Sequence, residues 1–258
     1  MPAKILVAIP AYRCEQQIGR VLAGFDERLM SRLYKVIVID NRSPDGTVKA
    51  AQEAIRKLGH KNIEVVQNRE NYGLGGSHKA AFLYGEKIGV DYVAILHGDH
   101  QASTQELHSL IDEAERDASL SAVLGTRFMR SSRLQGYSPL RIVGNVGLNV
   151  VYTMLSGRIT KDLGSGLNLF RMAELKDRRY LNFSDAFTFN MDLLLDYYHK
   201  NAKLGFVPIT WTEVDQESNA KAFSVGWIAL KTLLKWRVKP TVTRSGKPRE
   251  YEFERITI

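Results

Sequence analysis

The chain has 258 residues, 44% hydrophobic and 25% charged, which suits one large soluble domain with or without an appendage. Its single cysteine, Cys14, excludes an intrachain disulfide framework and points to a reducing compartment, the cytoplasm. The net charge of +8 is concentrated late: from Asn219 to Arg249 there are eight lysines and arginines and no acidic residue. Such a patch suits an anionic membrane surface, nucleic acid or a solvated tail.

The opening "MPAKILVAIPAY" reads as a first strand rather than a signal peptide. "KVIVID" (35–40), "IEVVQN" (63–68) and "YVAIL" (92–96) read as three more. Helical patterns lie between them. Residues 45–59 place Val48, Ala51 and Ile55 on one face and stop at Gly59, and 75–89 and 104–117 read the same way. A fifth strand is expected at 121–128. Strands alternating with helices predict right-handed βαβ units and a mostly parallel α/β sheet covered on both faces. The second half loses this rhythm. Residues 139–157 read as an apolar helix, 164–171 as a returning strand, 186–200 as a helix and 205–214 as a final strand. In 222–238 a helix places Phe223, Trp227, Leu230 and Leu234 in one stripe, read as packing against the domain with membrane contact as the alternative. Residues 1–215 form the expected domain and 216–258 a basic extension with an amphipathic helix. No run reaches about 18 apolar residues, so no membrane-spanning helix is expected.

In an open parallel sheet, ligands bind beyond the carboxyl ends of the strands. Those ends carry Pro10-Ala11-Tyr12, Asp40-Asn41, Asn68-Arg69 and His97-Gly98-Asp99-His100-Gln101. A lone strand-terminal aspartate is more often a turn former than a ligand; four polar ends together argue for a site. No P-loop is present, and "GLGGS" (73–77) lacks dinucleotide-binding spacing. One carboxylate and one amide oxygen at Asp99 and Gln101, completed by a diphosphate, suit Mg2+ or Mn2+. Three tryptophans without an interleaved aromatic and basic groove do not support nucleic acid as a partner.

The segments "IPAYRCEQQI", "VIVIDNRSPDGT", "NRENYGLGGSHKAAFLYG", "LHGDHQ", "GTRF" and "DLGSGLNLFR" follow one another in an order that resembles glycosyltransferase family 2, over roughly residues 4–215. The likeness is greatest to the polyprenyl-phosphate sugar transferases, such as dolichyl-phosphate mannose synthase. It implies a GT-A (Rossmann-like) fold and inverting transfer of a sugar from a nucleoside-diphosphate sugar, with UDP or GDP as the nucleotide. The acceptor implied is polyprenyl phosphate, met by a cytoplasmic protein peripherally bound to an anionic membrane surface. The alternatives are a glycan or lipid-linked saccharide hydroxyl, or a non-catalytic nucleotide-sugar-binding module. A homodimer stays open.

The resemblance also assigns residues. Pro10, Tyr12, Glu15, Asp40, Asn41, Asn71 and Asp99 fall at donor-binding positions. His97, Asp99 and Gln101 stand where that group keeps D-A-D-L-Q, so Asp99 and Gln101 are the metal ligands carried over and His97 a third candidate that would favour Mn2+. Arg127, Arg141, Asn145 and Ser165 fall on the acceptor side, and Ser218 and Lys221 are weaker matches to a late motif. Asp99, Arg127, Arg141 and Asp192 are the catalytic candidates. Where relatives that use a hydroxyl acceptor keep a general-base aspartate, this chain has Asn190, with Asp192 close by.

Overall fold

The computed structural model describes residues 2–213, 222–239 and 249–256, with the backbone alone over 222–225. Its strands are β1 (Ile5–Ala11), β2 (Lys35–Asp40), β3 (Ile63–Asn68), β4 (Tyr92–Leu96), β5 (Ala122–Thr126), β6 (Arg133–Gln135), β7 (Leu167–Arg171), β8 (Leu204–Pro208), β9 (Thr210–Thr212) and β10 (Phe253–Ile256). The helices are α1 (Ile18–Ala23), α2 (Glu27–Met30), α3 (Thr47–Leu58), α4 (Gly73–Lys87), α5 (Leu107–Arg116), α6 (Pro139–Ser156), α7 (Phe189–His199) and α8 (Ala222–Val238).

Eight strands form one sheet in the order β10-β3-β2-β1-β4-β7-β5-β8. Strands β3, β2, β1 and β4 run parallel, and β8 runs parallel to β5. Strand β7 returns antiparallel between β4 and β5, and β10 closes the far edge antiparallel to β3. The mostly parallel α/β sheet expected from the sequence is therefore present. The central strand β1 is buried at every position because helices cover both faces, which is why it reads as an unbroken apolar run. One face packs Val7, Val38 and Leu96 against Leu22, Ile55 and Leu110. The other packs Leu6, Ile37 and Ile95 against Phe82, Phe189 and Tyr197. Helix α3 ends as its pattern predicts: Gly59, at φ +71°, donates its N–H to the Ile55 carbonyl at 3.0 Å.

Three expectations change. The strand read at 205–214 divides at Ile209, and its second half, β9, leaves the main sheet to pair with β6. Two members of the stripe read on α8, Trp227 and Leu234, are exposed and Leu230 is half-buried, while the side chain of Phe223 lies outside the described residues. Among the described side chains of α8 the buried ones are Ala229, Leu233 and Trp236, which meet Tyr152 of α6 and Leu195 of α7. Within the stretch read as an extension, Phe253–Ile256 is an edge strand of the main sheet.

That edge is fixed by a buried charge. The Lys79 ammonium, fully buried on α4, donates to Asp185 Oδ1 and the Phe183 carbonyl at 2.6 Å each and to the Tyr251 hydroxyl at 3.0 Å. Burial lowers its pKa, and Asp185 opposes that shift. Breaking a buried pair strands the remaining charge. Lys79→Ala is expected to lower stability by roughly 3 kcal/mol, and Tyr251→Phe by about 1 kcal/mol. Urea midpoints of the two variants measure both losses.

Candidate active site

The carboxyl ends of β1, β2 and β4 are stitched together by backbone. Asn41 N–H donates to the Ala11 carbonyl at 2.9 Å, and Gly98 N–H to the Pro10 carbonyl at 2.9 Å. A Cβ on Gly98 would sit 3.1 Å from the Ala11 Cβ and 3.2 Å from the Pro10 oxygen, so the approach suits glycine. Three non-glycine residues at these ends hold left-handed backbone: Arg13 (φ 57°), Arg42 (φ 60°) and His100 (φ 58°). Backbone of that kind collects at functional sites because the surrounding structure must hold it. Arg42 is held by bonds to the Arg69 carbonyl (3.1 Å) and Gln67 Oε1 (2.7 Å).

The donor-side candidates gather here. Pro10 is the last residue but one of β1, close to an exposed Tyr12, and Glu15 accepts from Gly46 N–H at 3.1 Å. Asp40 is wholly buried and already occupied, accepting from Gln67 Nε2 at 2.8 Å and from Ser43 N–H at 3.3 Å. Asn41 and Asn71 meet directly, Nδ2 to Oδ1 at 2.9 Å. Asn41 Oδ1 also accepts from Asn68 Nδ2 and Tyr72 N–H at 2.9 Å each. Asn41 thus holds the loop that starts α4, so its amide is a scaffold group rather than an open base contact.

The turn after β4 divides its polar side chains between interior and cleft. His97 turns inward: its ring centroid is 5.6 Å from that of His78, and its Nε2 is buried without a hydrogen-bond partner. Burial lowers the pKa of both imidazoles, for His97 against the pull of Asp99. The geometry therefore does not present His97 as a metal ligand. Asp99 and Gln101 are half-buried, and Gln101 N–H donates to Asp99 Oδ1 at 3.2 Å. Among the described residues no three histidines, cysteines or carboxylates are grouped to hold a metal. Asp99 and Gln101 still fit a shared site. Gln101 Nε2 is tied to Glu213 Oε1 at 3.3 Å, which leaves the amide oxygen as the end that can meet a cation.

On the acceptor side the two arginines differ. Arg127 is 10% exposed and fully engaged by Asp162, through Nε and Nη2 at 2.8 Å each and its backbone N–H at 2.9 Å. Burial opposes its charge, but Asp162 outweighs burial and the pKa rises. Arg127 is thus a sealed structural cation beside Phe128 and Trp211, not the free phosphate contact expected. Arg141, at the start of α6, stacks 4.3 Å from the Tyr137 ring and pairs through both terminal nitrogens with Glu213. Asn145, one turn on, donates to the Tyr137 hydroxyl (3.1 Å) and the Arg141 carbonyl (2.7 Å). Ser165 is buried, and its hydroxyl is bonded to the Leu167 carbonyl at 3.1 Å. Asp192 is likewise buried and accepts from Ser184 N–H at 2.9 Å, so the candidate base does not face the cleft. Ser218 and Lys221 lie outside the described residues.

Sequence reasoning misses Glu213 and Asp162. Glu213 follows β9 directly, and a carboxylate at a strand end is the same signal that marks Asp40 and Asp99. Asp162 stands at the head of "DLGSGLNLFR", where nothing in the spacing ties it to Arg127.

An eight-stranded, mostly parallel sheet with its polar strand ends converging on one turn is the GT-A arrangement. The chain belongs to glycosyl transferase family 2, whose model matches residues 6–178, and is a glycosyltransferase. It is 25% identical over 212 residues to polyprenol monophosphomannose synthase of Mycolicibacterium smegmatis, covering 81% of this chain and 78% of that one. It is 25% identical over 183 residues to UDP-N-acetylglucosamine–dolichyl-phosphate N-acetylglucosaminyltransferase of Methanococcus voltae, covering 67% and 71%. Among solved structures it resembles glucosyl-3-phosphoglycerate synthase of Mycobacterium tuberculosis, in complex with Mn2+, UDP and phosphoglyceric acid. The TM-score there is 0.67 at 16% identity, over 99% of this chain and 87% of that one.

Burial pushes the Asp192 carboxyl up to about 6, against the Ser184 N–H and Lys79, which pull it down. The folded chain therefore keeps a proton that the unfolded chain has released, between the ordinary carboxylate value and about 6. Stability drawn from this group falls as pH rises through that window, by roughly 3 kcal/mol in full. Asp192→Asn should match wild type near pH 4 and exceed it near pH 7, as read from urea midpoints at the two pH values.

Proposed function

We propose that the protein transfers a sugar, with inversion, from a UDP- or GDP-sugar to a polyprenyl phosphate at an anionic membrane surface. The observation that carries this reading is the position of Arg141. It stacks on Tyr137 and pairs with Glu213, which also bonds Gln101 of the β4 turn, and it sits on a helix whose outer face is apolar. A phosphate acceptor is already ionised at neutral pH, so it needs a cation to hold it rather than a base to deprotonate it. Asn190 is an amide and Asp192 faces Ser184, and both facts support an acceptor of that kind.

The donor's base would lie against Tyr12 near the end of β2, with its diphosphate at the β4 turn. Asp99 and Gln101 would hold Mg2+ or Mn2+ with the diphosphate, and the cation supplies charge neutralisation to the departing nucleotide. Arg141 releases Glu213 to take the acceptor phosphate and aims one of its oxygens at the sugar's anomeric carbon.

The surface supports membrane attachment. Leu140, Val143, Val150 and Met154 on α6 are exposed, as are Trp227, Ile228, Leu234 and Val238 on α8, with Lys231, Lys235 and Arg237 on that helix. No helix among the described residues is long and apolar enough to cross a membrane. This pattern fits helices lying in the headgroup region of an anionic bilayer.

Arg141→Ala should raise the KM for a polyprenyl phosphate acceptor by at least tenfold, while Asp192→Asn keeps most turnover. The reverse pattern would end the lipid-phosphate reading in favour of a hydroxyl acceptor. Asp99→Asn should lose about 100-fold in turnover. In calorimetry it should also lose the Mn2+-dependent gain in nucleoside-diphosphate affinity, and a gain equal to wild type would remove Asp99 from the metal site.

A further inference from the structure

A groove of about 450 Å3 runs along α6. One wall is Val146, Val150 and Met154, and the other is the segment after β5 that begins at Phe128. The polar groups in its floor are spent on one another. Asn149 Nδ2 donates to the Lys161 carbonyl at 2.9 Å, Thr153 Oγ1 to the Asn149 carbonyl at 2.9 Å, and Thr160 N–H to Thr153 Oγ1 at 2.9 Å. What remains for a ligand is apolar, apart from two cations in the lining, Arg130 and Lys161. Among the described residues neither side chain makes an ion pair. The groove is also continuous with the exposed face of α6, since Val146, Val150 and Met154 belong to both. Apolar walls with cations beside them complement one class of molecule, an anionic lipid with a slender chain.

We infer that this groove holds the first part of the acceptor's isoprenoid chain. The inference rests on the polyprenyl-phosphate reading and adds the site that recognises the chain. Arg141, Asn145 and the groove's Asn149 and Thr153 follow one another every four residues along one side of α6, and from Arg141 to Asn149 is eight residues, about 12 Å along the axis. A phosphate at Arg141 therefore leaves its chain to run along α6 into the groove. Taking the volume of one liquid water, about 30 Å3, for each carbon-sized atom, 450 Å3 has room for roughly fifteen atoms. That is the size of a farnesyl group. The rest of a longer chain passes out over Met154 to the apolar face.

The number of isoprene units the groove accommodates can be counted by binding. Dimethylallyl, geranyl, farnesyl and geranylgeranyl phosphate, each kept monomeric, are titrated into the full chain by calorimetry, with inorganic phosphate as the headgroup control. Affinity should rise at least tenfold per added isoprene unit up to farnesyl, because each buried methylene contributes about fourfold. It should then level off. Val150→Asp and Met154→Glu, both at exposed positions that tolerate a charge, should flatten the series at geranyl. A flat series in the wild type, or a rise that both variants leave intact, overturns the groove. Turnover of the same compounds with UDP- and GDP-sugars is scored separately. Glycosyl phosphate formed at equal KM from every chain length removes the groove and leaves the acceptor reading standing. A binding series that levels at farnesyl, with no glycosyl product from any compound, keeps the groove as a lipid-chain site and removes the acceptor reading.

Discussion

The contact between Gly98 and Pro10 is the constraint on which the site depends. Two strand ends approach until a backbone N–H meets a backbone carbonyl, with an alanine Cβ 3.1 Å from where a side chain would start. That closeness brings the turn carrying Asp99 and Gln101 against the end of β1. The bond from Asn41 to Ala11 brings the end of β2 to the same place. None of this requires a ligand. Parallel strands that share a direction deliver their ends to one edge, and short backbone bonds lock the ends together. The site is preformed because its frame is main chain.

Around that frame, carboxylates assign different fates to two arginines close in sequence. Asp162 surrounds Arg127 with three bonds in a site where both partners are nearly buried, so exchanging Asp162 for another anion would expose a charge to a low dielectric. Glu213 holds Arg141 in a half-buried setting and also steadies Gln101. In the proposed reaction a phosphate would replace Glu213, which until then keeps the cation ordered without trapping it. Sequence spacing alone presents the two arginines as equivalent; their partners separate them.

Much of the frame is legible in the sequence. The apolar runs of β1 to β4, each broken by polar residues, mark the strands and the edge that carries the site, and the ordered motifs mark the family. What stays hidden depends on long-range packing. The inward turn of His97 follows from Gly166, whose missing side chain leaves space 2.6 Å from His97 Nδ1, and from the ring of His78. The burial of Asp192 follows from α7 being covered nearly all round, a state that a sequence with charges at Asp192 and Asp196 does not advertise. The exposure of Trp227 and Leu234 on α8 escapes a sequence reading because an apolar row has the same spacing whether it meets protein or lipid. The strand "FERI" carries two charges in four residues and no apolar run, so β10 gives no periodic signal at all.

Strand β10 also sets an order of events for the newborn chain. Its partner β3 leaves the ribosome about 180 residues earlier, the separation spanned by the bond from the Tyr72 hydroxyl to the Glu252 carbonyl. At ribosomal rates of about 5–20 residues per second, β3 waits roughly ten seconds or more for its neighbour. During that interval it is an open edge carrying Ile63, Val65 and Val66, the kind of surface that recruits other strands. The Lys79 ammonium waits with it, since Asp185 and Tyr251 are also made late. The β3 edge is therefore open to misassembly for most of translation, until the last residues of the sheet arrive to cover it.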